Sequence, residues 1–211
     1  MTRALAFFGA FNPPTVAHVG LADAARRKTG RDCVVFVPSQ SVYIREEQGK
    51  DFAYSEQDRL RMLREAAESR PWMRVTDWEL KQERQPRTYE TLRHLREEGY
   101  DPALLLGSDK LPELEHGWRF VEEICREFGI VCLTRGEDEC GKMIREDPYL
   151  SGLAPWIEVL ETPEETKEIS STEVRKRIAQ IRELQREIRG MVPPEIVPLL
   201  DPGGFPIARN E

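Results

Sequence analysis

Short, nearly unbroken apolar runs alternate along the chain with longer stretches in which apolar residues recur every three or four positions. The runs Ala4 to Phe8, Cys33 to Val37, Ala103 to Leu106, Ile130 to Leu133 and Ile157 to Leu160 read as buried strands, with a more polar strand around Met73 to Val75. Helical spacing covers His18 to Lys28, Ser55 to Glu68, Thr88 to Glu97, Phe120 to Glu127 and Ser171 to Arg189. Strand and helix in turn predict βαβ units with right-handed crossovers, and hence an α/β protein with a mostly parallel sheet and helices on both faces. Such sheets bind ligands beyond the carboxyl ends of strands where the strand order reverses, so the loops after the apolar runs are where chemistry is to be sought.

Proline and glycine are scattered between the periodic segments, with no repeat and no low-complexity tract. One domain is therefore expected over 211 residues, its helical C-terminal part starting at about residue 171. An apolar share of 39% suits a core that needs no disulfide or metal staple. Near the start, Leu5 to Phe8 is cut off by Gly9, too short for a signal-peptide core or a membrane span. Cys33, Cys125, Cys132 and Cys140 form no C-x-x-C pair and have no histidine at zinc-ligand spacing, so buried reduced thiols in a cytoplasmic protein are expected. Against 38 acidic residues stand 31 basic ones; the net charge of -7 argues against nucleic acid and anionic membranes as partners. The sequence specifies no oligomeric state.

The first strand runs into Gly9-Ala10-Phe11-Asn12-Pro13-Pro14-Thr15-Val16-Ala17-His18 and then a helix. Neither the G-x-G-x-x-G of dinucleotide folds nor the Gly-Lys-Ser/Thr of a P-loop is present, which leaves another phosphate chemistry. Gly9 allows close approach, Pro13-Pro14 fixes an extended backbone, and the helix start offers free N–H groups to a phosphate. Thr15 and His18, three apart, project onto one face; the plainer reading of such a histidine is a cap. Far downstream, Ser170 to Glu173 reads as a capping box before a helix with apolar positions Val174, Ile178, Ile181, Leu184 and Ile188. A box needs one hydroxyl, whereas Ser170, Ser171 and Thr172 supply three, with Arg175 a turn inside: a set suited to the β- and γ-phosphates of a triphosphate.

These two segments resemble the signatures of the nucleotidylyltransferase superfamily, a glycine turn with Phe-Asn-Pro and H/T-x-G-H, and I-S-S-T-x-x-R. The chain carries Ala17 where the first motif has Gly. Nearly the whole length is similar to the bacterial nicotinate mononucleotide adenylyltransferase family. The likeness runs through Ser55 with Asp58 to Leu63, Val75 to Leu80, Thr88 to Leu92, Leu106 to Leu111, Trp118, Thr134 to Gly136, and Val192 to Val197. It implies a Rossmann-like nucleotidylyltransferase fold and transfer of AMP from ATP, with Mg2+, to nicotinate mononucleotide. By the same likeness His18 and Thr15 hold the α/β-phosphates, Ser170, Ser171, Thr172 and Arg175 the leaving pyrophosphate, and Gly9, Phe11 and Asn12 shape the loop around ATP. Gly107 and Asp109 stand near the ribose or Mg2+, and Thr88 and Trp118 border the nicotinate ring; taken alone, Thr88 reads as a helix cap and Trp118 as a core aromatic. Where the family has Pro-Pro-His-Lys, this chain has Ser41-Val42-Tyr43-Ile44-Arg45, so only Arg45 keeps a charge for phosphate, and the polar stretch Glu46 to Asp51 reads as a loop that closes as a flap. Related transferases with another acceptor, nicotinamide mononucleotide or phosphopantetheine, and a nucleotide-binding regulator without catalysis are the alternatives.

Overall fold

The computed structural model describes residues 1–48, 54–134, 140–162 and 169–191. Its strands are β1 (Thr2–Gly9), β2 (Cys33–Pro38), β3 (Met73–Val75), β4 (Tyr100–Gly107), β5 (Ile130–Leu133) and β6 (Ile157–Leu160). They form one sheet in the order β3-β2-β1-β4-β5-β6 with every pairing parallel. Between β1 and β4 the order reverses, so the loops that follow those two strands flank the switch point.

Successive residues of a strand face opposite sides, and in the central strands both sides are buried, which is why β2, β5 and the middles of β1 and β4 read as continuous apolar runs. Ala4 and Ala6 of β1, Val35 and Val37 of β2, and Leu104 and Leu106 of β4 build one core layer. It packs on α4 (Thr88–Glu97), α5 (Val121–Glu127), α6 (Cys140–Glu146) and α7 (Pro148–Leu153). Leu5, Val34, Phe36, Ala103 and Leu105 build the other layer, against Ala22 and Ala25 of α1 (Val16–Lys28) and Leu63 of α3 (Glu56–Glu68). Pro102 sits inside β4 without breaking the sheet. Leu104 N donates to Gly129 O, so the nitrogen of Pro102, two residues earlier, lies on the same side at a level where β5 has not begun.

Three segments depart from the sequence expectations. Ser41 to Gln48 forms helix α2, so Glu46 to Gln48 close a helix instead of opening a flap; Ser41 N donates to Glu56 Oε1 at 2.5 Å, and Arg, Glu and Gln are good helix formers. Residues 49–51 of the expected flap lie outside the described residues. Helices α6 and α7 were not anticipated, because each is too short to show a period. Phe120 stands ahead of α5, not in it, in the left-handed region at φ 61°. Arg135, Gly136 and Val192 to Val197 lie outside the described residues. The last described helix is α8 (Ser171–Met191). The chain divides into two compact units, Met1–Ser171, which holds the sheet, and Thr172–Glu211, whose described part continues α8. Among the described residues no helix is long and apolar enough to cross a membrane.

Candidate active site

The loop after β1 is held from within. Phe11 takes φ 45°, a conformation that bulky residues rarely adopt, and its buried ring packs on Phe7, Phe36 and His18 at centroid distances of 5.5, 5.4 and 5.3 Å. A side chain at Gly9 would meet that ring at 3.2 Å. A Cβ at Gly9 would therefore crowd the loop's own aromatic residue, which must give by a few tenths of an ångström to admit it. Asn12 and Ala17 are also buried, so the methyl of Ala17 is packed away within the protein.

At the loop's end Thr15 caps α1. Its Oγ1 accepts from His18 N at 3.4 Å, its own N–H donates to His18 Nδ1 at 3.0 Å, and the hydroxyl lies 2.7 Å from the same Nδ1. A backbone N–H can only donate, so Nδ1 is an acceptor and the ring hydrogen of the neutral imidazole belongs to Nε2. The cap foreseen as the plainer reading of His18 is thus real, and it fixes the ring so that its Nε2–H edge is the one presented as a donor. The first turn of α1 adds the positive end of the helix dipole.

Arg59, on α3, ties this loop to the strand beside it. It is fully buried and donates to Ala10 O at 2.5 Å, Ser39 O at 2.8 Å and Ser41 Oγ at 3.1 Å. Burial pulls its guanidinium below the usual range, partly offset by the Glu56 carboxylate. Across the switch point, Gly107 closes β4, and Asp109 folds its carboxylate back over it: a Cβ at Gly107 would stand 2.6 Å from Asp109 Oδ1. Thr88 is the first residue of α4, not its cap; that place is Arg87, whose N–H donates to Glu90 Oε2 at 2.7 Å. Arg84 and this N–H together hold the Glu90 carboxyl down at about 2. Trp118 is half-buried against the core layer of α4 and α5, and Arg45 is exposed on α2.

Ser171, the last residue of the first unit, donates from its Oγ to Pro13 O at 2.7 Å across 158 positions of sequence. In the C-terminal unit, Arg175 Nη2 donates to Thr172 Oγ1 at 3.2 Å and Arg177 pairs with Glu173 at 2.7 Å. Ser170 directly precedes α8. Arg59 and Glu79 carry no motif of their own in the sequence. Arg59 could have been found from its helical spacing to Leu63, which puts it on the buried face; Glu79, 1% exposed, has no local signal because its partners come from later in the chain.

An all-parallel sheet whose switch-point loop runs into a capped helix defines a doubly wound α/β protein. Residues 6–177 match the model of the family described as cytidylyltransferase-like. A probable nicotinate-nucleotide adenylyltransferase of Dehalococcoides mccartyi is 32% identical over 81% of this chain and 82% of its own. One from Salinibacter ruber is 31% identical over 92% and 93%. Among solved structures, Plasmodium falciparum nicotinic acid mononucleotide adenylyltransferase complexed with NaAD superposes with a TM-score of 0.64 at 20% identity, covering 83% of each chain; at that identity the likeness speaks for the fold. The chain belongs to the cytidylyltransferase-like family and, within it, to the family of the nicotinate-nucleotide adenylyltransferases.

Proposed function

We propose that this protein joins AMP from ATP to nicotinate mononucleotide and releases pyrophosphate. The observation that carries the chemistry is the Thr15–His18 clasp at the start of α1, which engages Nδ1 as an acceptor and so leaves the ring hydrogen on Nε2 beside a helix N-terminus. Kinship with nicotinate-nucleotide adenylyltransferases over four-fifths or more of the chain supports the acceptor.

An acceptor phosphate oxygen attacks the α-phosphorus in line. The bond from that phosphorus to the α,β-bridging oxygen breaks, and its electron pair leaves with pyrophosphate. No covalent intermediate with the protein is needed, so the side chains act by positioning and by stabilising charge. His18, held by Thr15, donates to the α/β-phosphate oxygens. Ser170, Ser171, Thr172 and Arg175 bind the leaving pyrophosphate, and Arg45 is a further clamp. Gly9, Phe11 and Asn12 hold the loop beside ATP, Gly107 and Asp109 border the ribose, and Thr88 and Trp118 border the nicotinate ring. Mg2+ enters as part of the MgATP substrate. The expected setting is a single catalytic domain in the cytoplasm.

The test is pyrophosphate release from MgATP with nicotinate mononucleotide, nicotinamide mononucleotide and phosphopantetheine supplied separately. Release with nicotinate mononucleotide far above the other two is expected; ATP binding without release for any acceptor would indicate a regulator.

A further inference from the structure

Beyond the carboxyl ends of β2 and β3 lies a chain of polar side chains that the reaction does not itself use. Thr91 Oγ1 donates to Glu79 Oε1 at 2.6 Å, and Gln85 Nε2 donates to Glu79 Oε2 at 2.5 Å. The other end of the Gln85 amide, Oε1, accepts from the backbone N–H of Gln40 at 2.8 Å. The Gln40 side chain returns the link, donating to Glu79 O at 2.9 Å and Gln82 O at 2.7 Å. Gln40 directly precedes α2, which carries Arg45, and Thr91 lies on α4 one turn from Thr88. Gln85 therefore spans the gap between the segment leading into α2 and the segment leading into α4.

The direction of these bonds is fixed. A backbone N–H can only donate, so Gln85 must turn its oxygen to Gln40 and its NH2 to residue 79, and residue 79 must accept there. Only a group with an acceptor on that side and a partner for Thr91 on the other satisfies both. Glu79 and Thr91 are both buried, and burying a carboxyl is unfavourable compared with an apolar residue of the same size. Stability alone gives no reason to keep a carboxyl here; a requirement on the placement of two segments does.

We propose that Gln85, oriented by Glu79, is a positioning residue that sets the spacing between the start of α2 and the start of α4 and thereby the fit of the acceptor mononucleotide. The inference rests on the reading that Thr88 borders the acceptor. Arg59 holds Ser39 and Ser41 to the loop after β1, so the α2 side of the gap, with Arg45, stays anchored when Gln85 is lost; the shift falls on the start of α4, where Thr88 lies, and so on the acceptor.

The experiment is steady-state kinetics on the full chain, with MgATP and nicotinate mononucleotide varied separately, alongside thermal melting. Gln85→Leu and Glu79→Leu are expected to raise the acceptor KM by about tenfold while the KM for MgATP stays within about twofold. Glu79→Gln keeps an acceptor toward Gln85 and turns its NH2 to the Thr91 oxygen, so it is expected to restore the acceptor KM. Gln85→Asn, an amide too short to reach both partners, gives the same readout with a smaller change if the leucine variants do not fold. Rises in both KM values that follow the loss of melting temperature, or a folded Gln85→Leu and Gln85→Asn with the wild-type acceptor KM, overturn this inference alone. A wild type that releases no pyrophosphate with any mononucleotide overturns the proposed function and this inference with it.

Discussion

His18 has two tasks in the proposed reaction: its Nδ1 edge closes the cap of α1 on Thr15, and its Nε2, left with the ring hydrogen, is the proposed donor to phosphate. The tasks can be separated. His18→Ala is expected to lose about 1 kcal/mol of stability through the cap and on the order of 100-fold in turnover. His18→Asn offers an oxygen to the Thr15 N–H and should recover stability in urea unfolding without recovering turnover; equal turnover in all three proteins would contradict the role of the ring. Glu79 gives a second prediction, in pH. Burial raises its carboxyl to about 7, against the hydrogen bonds from Thr91 and Gln85, which lower it. The folded protein then holds a proton between about pH 4.5 and 7 that the unfolded chain has released, so the stability from this group is full below that window and falls as pH rises through it. The loss is about 3 kcal/mol, and Glu79→Gln, which cannot ionise, should flatten the slope in unfolding titrations from pH 5 to 8. An unchanged slope would show that Glu79 is not the group responsible.

At the scale of elements, the turn from β4 into the segment after it depends on the missing side chain of Gly107. A methyl there would stand 2.6 Å from Asp109 Oδ1, so the carboxylate must leave its place to admit it. Gly107→Ala and Asp109→Ala are therefore both expected to lower turnover; wild-type kinetics in the two variants would show that the folded-back carboxylate has no part in the reaction. The central strands were legible in the sequence because both their faces are buried and the apolar run is unbroken, as in Cys33 to Val37; the edge strands β3 and β6 carry exposed Arg74, Glu158 and Val159 and give a weaker signal. Helix α2 was not, because Ser41 to Gln48 has no apolar period and its start is fixed by Glu56 and Arg59 from another helix. The same physics explains the site. Thr15 and His18 are three apart on one helix and could be paired from spacing, whereas Glu79, Gln85 and Gln40 meet only after β2, β3 and α4 are in place.

For the molecule as a whole, a net charge of -7 looks unsuited to two polyanionic substrates. Phosphate recognition of the kind proposed needs only a local focus, namely a helix start, an imidazole N–H and a few guanidinium groups, with Mg2+ offsetting part of the triphosphate charge. The acidic balance bears on nucleic acid, which needs an extended basic surface, and leaves mononucleotides untouched. The order β3-β2-β1-β4-β5-β6 puts the loops after β1 and β4 side by side, so the glycine turns at Gly9 and Gly107, 98 positions apart in sequence, end at one place. The measurement that tests this account most directly is pyrophosphate release with MgATP and the three acceptors. Turnover with nicotinate mononucleotide, lost on the order of 100-fold in His18→Ala, is the predicted result. Release that favours phosphopantetheine, or none with any acceptor, would contradict it.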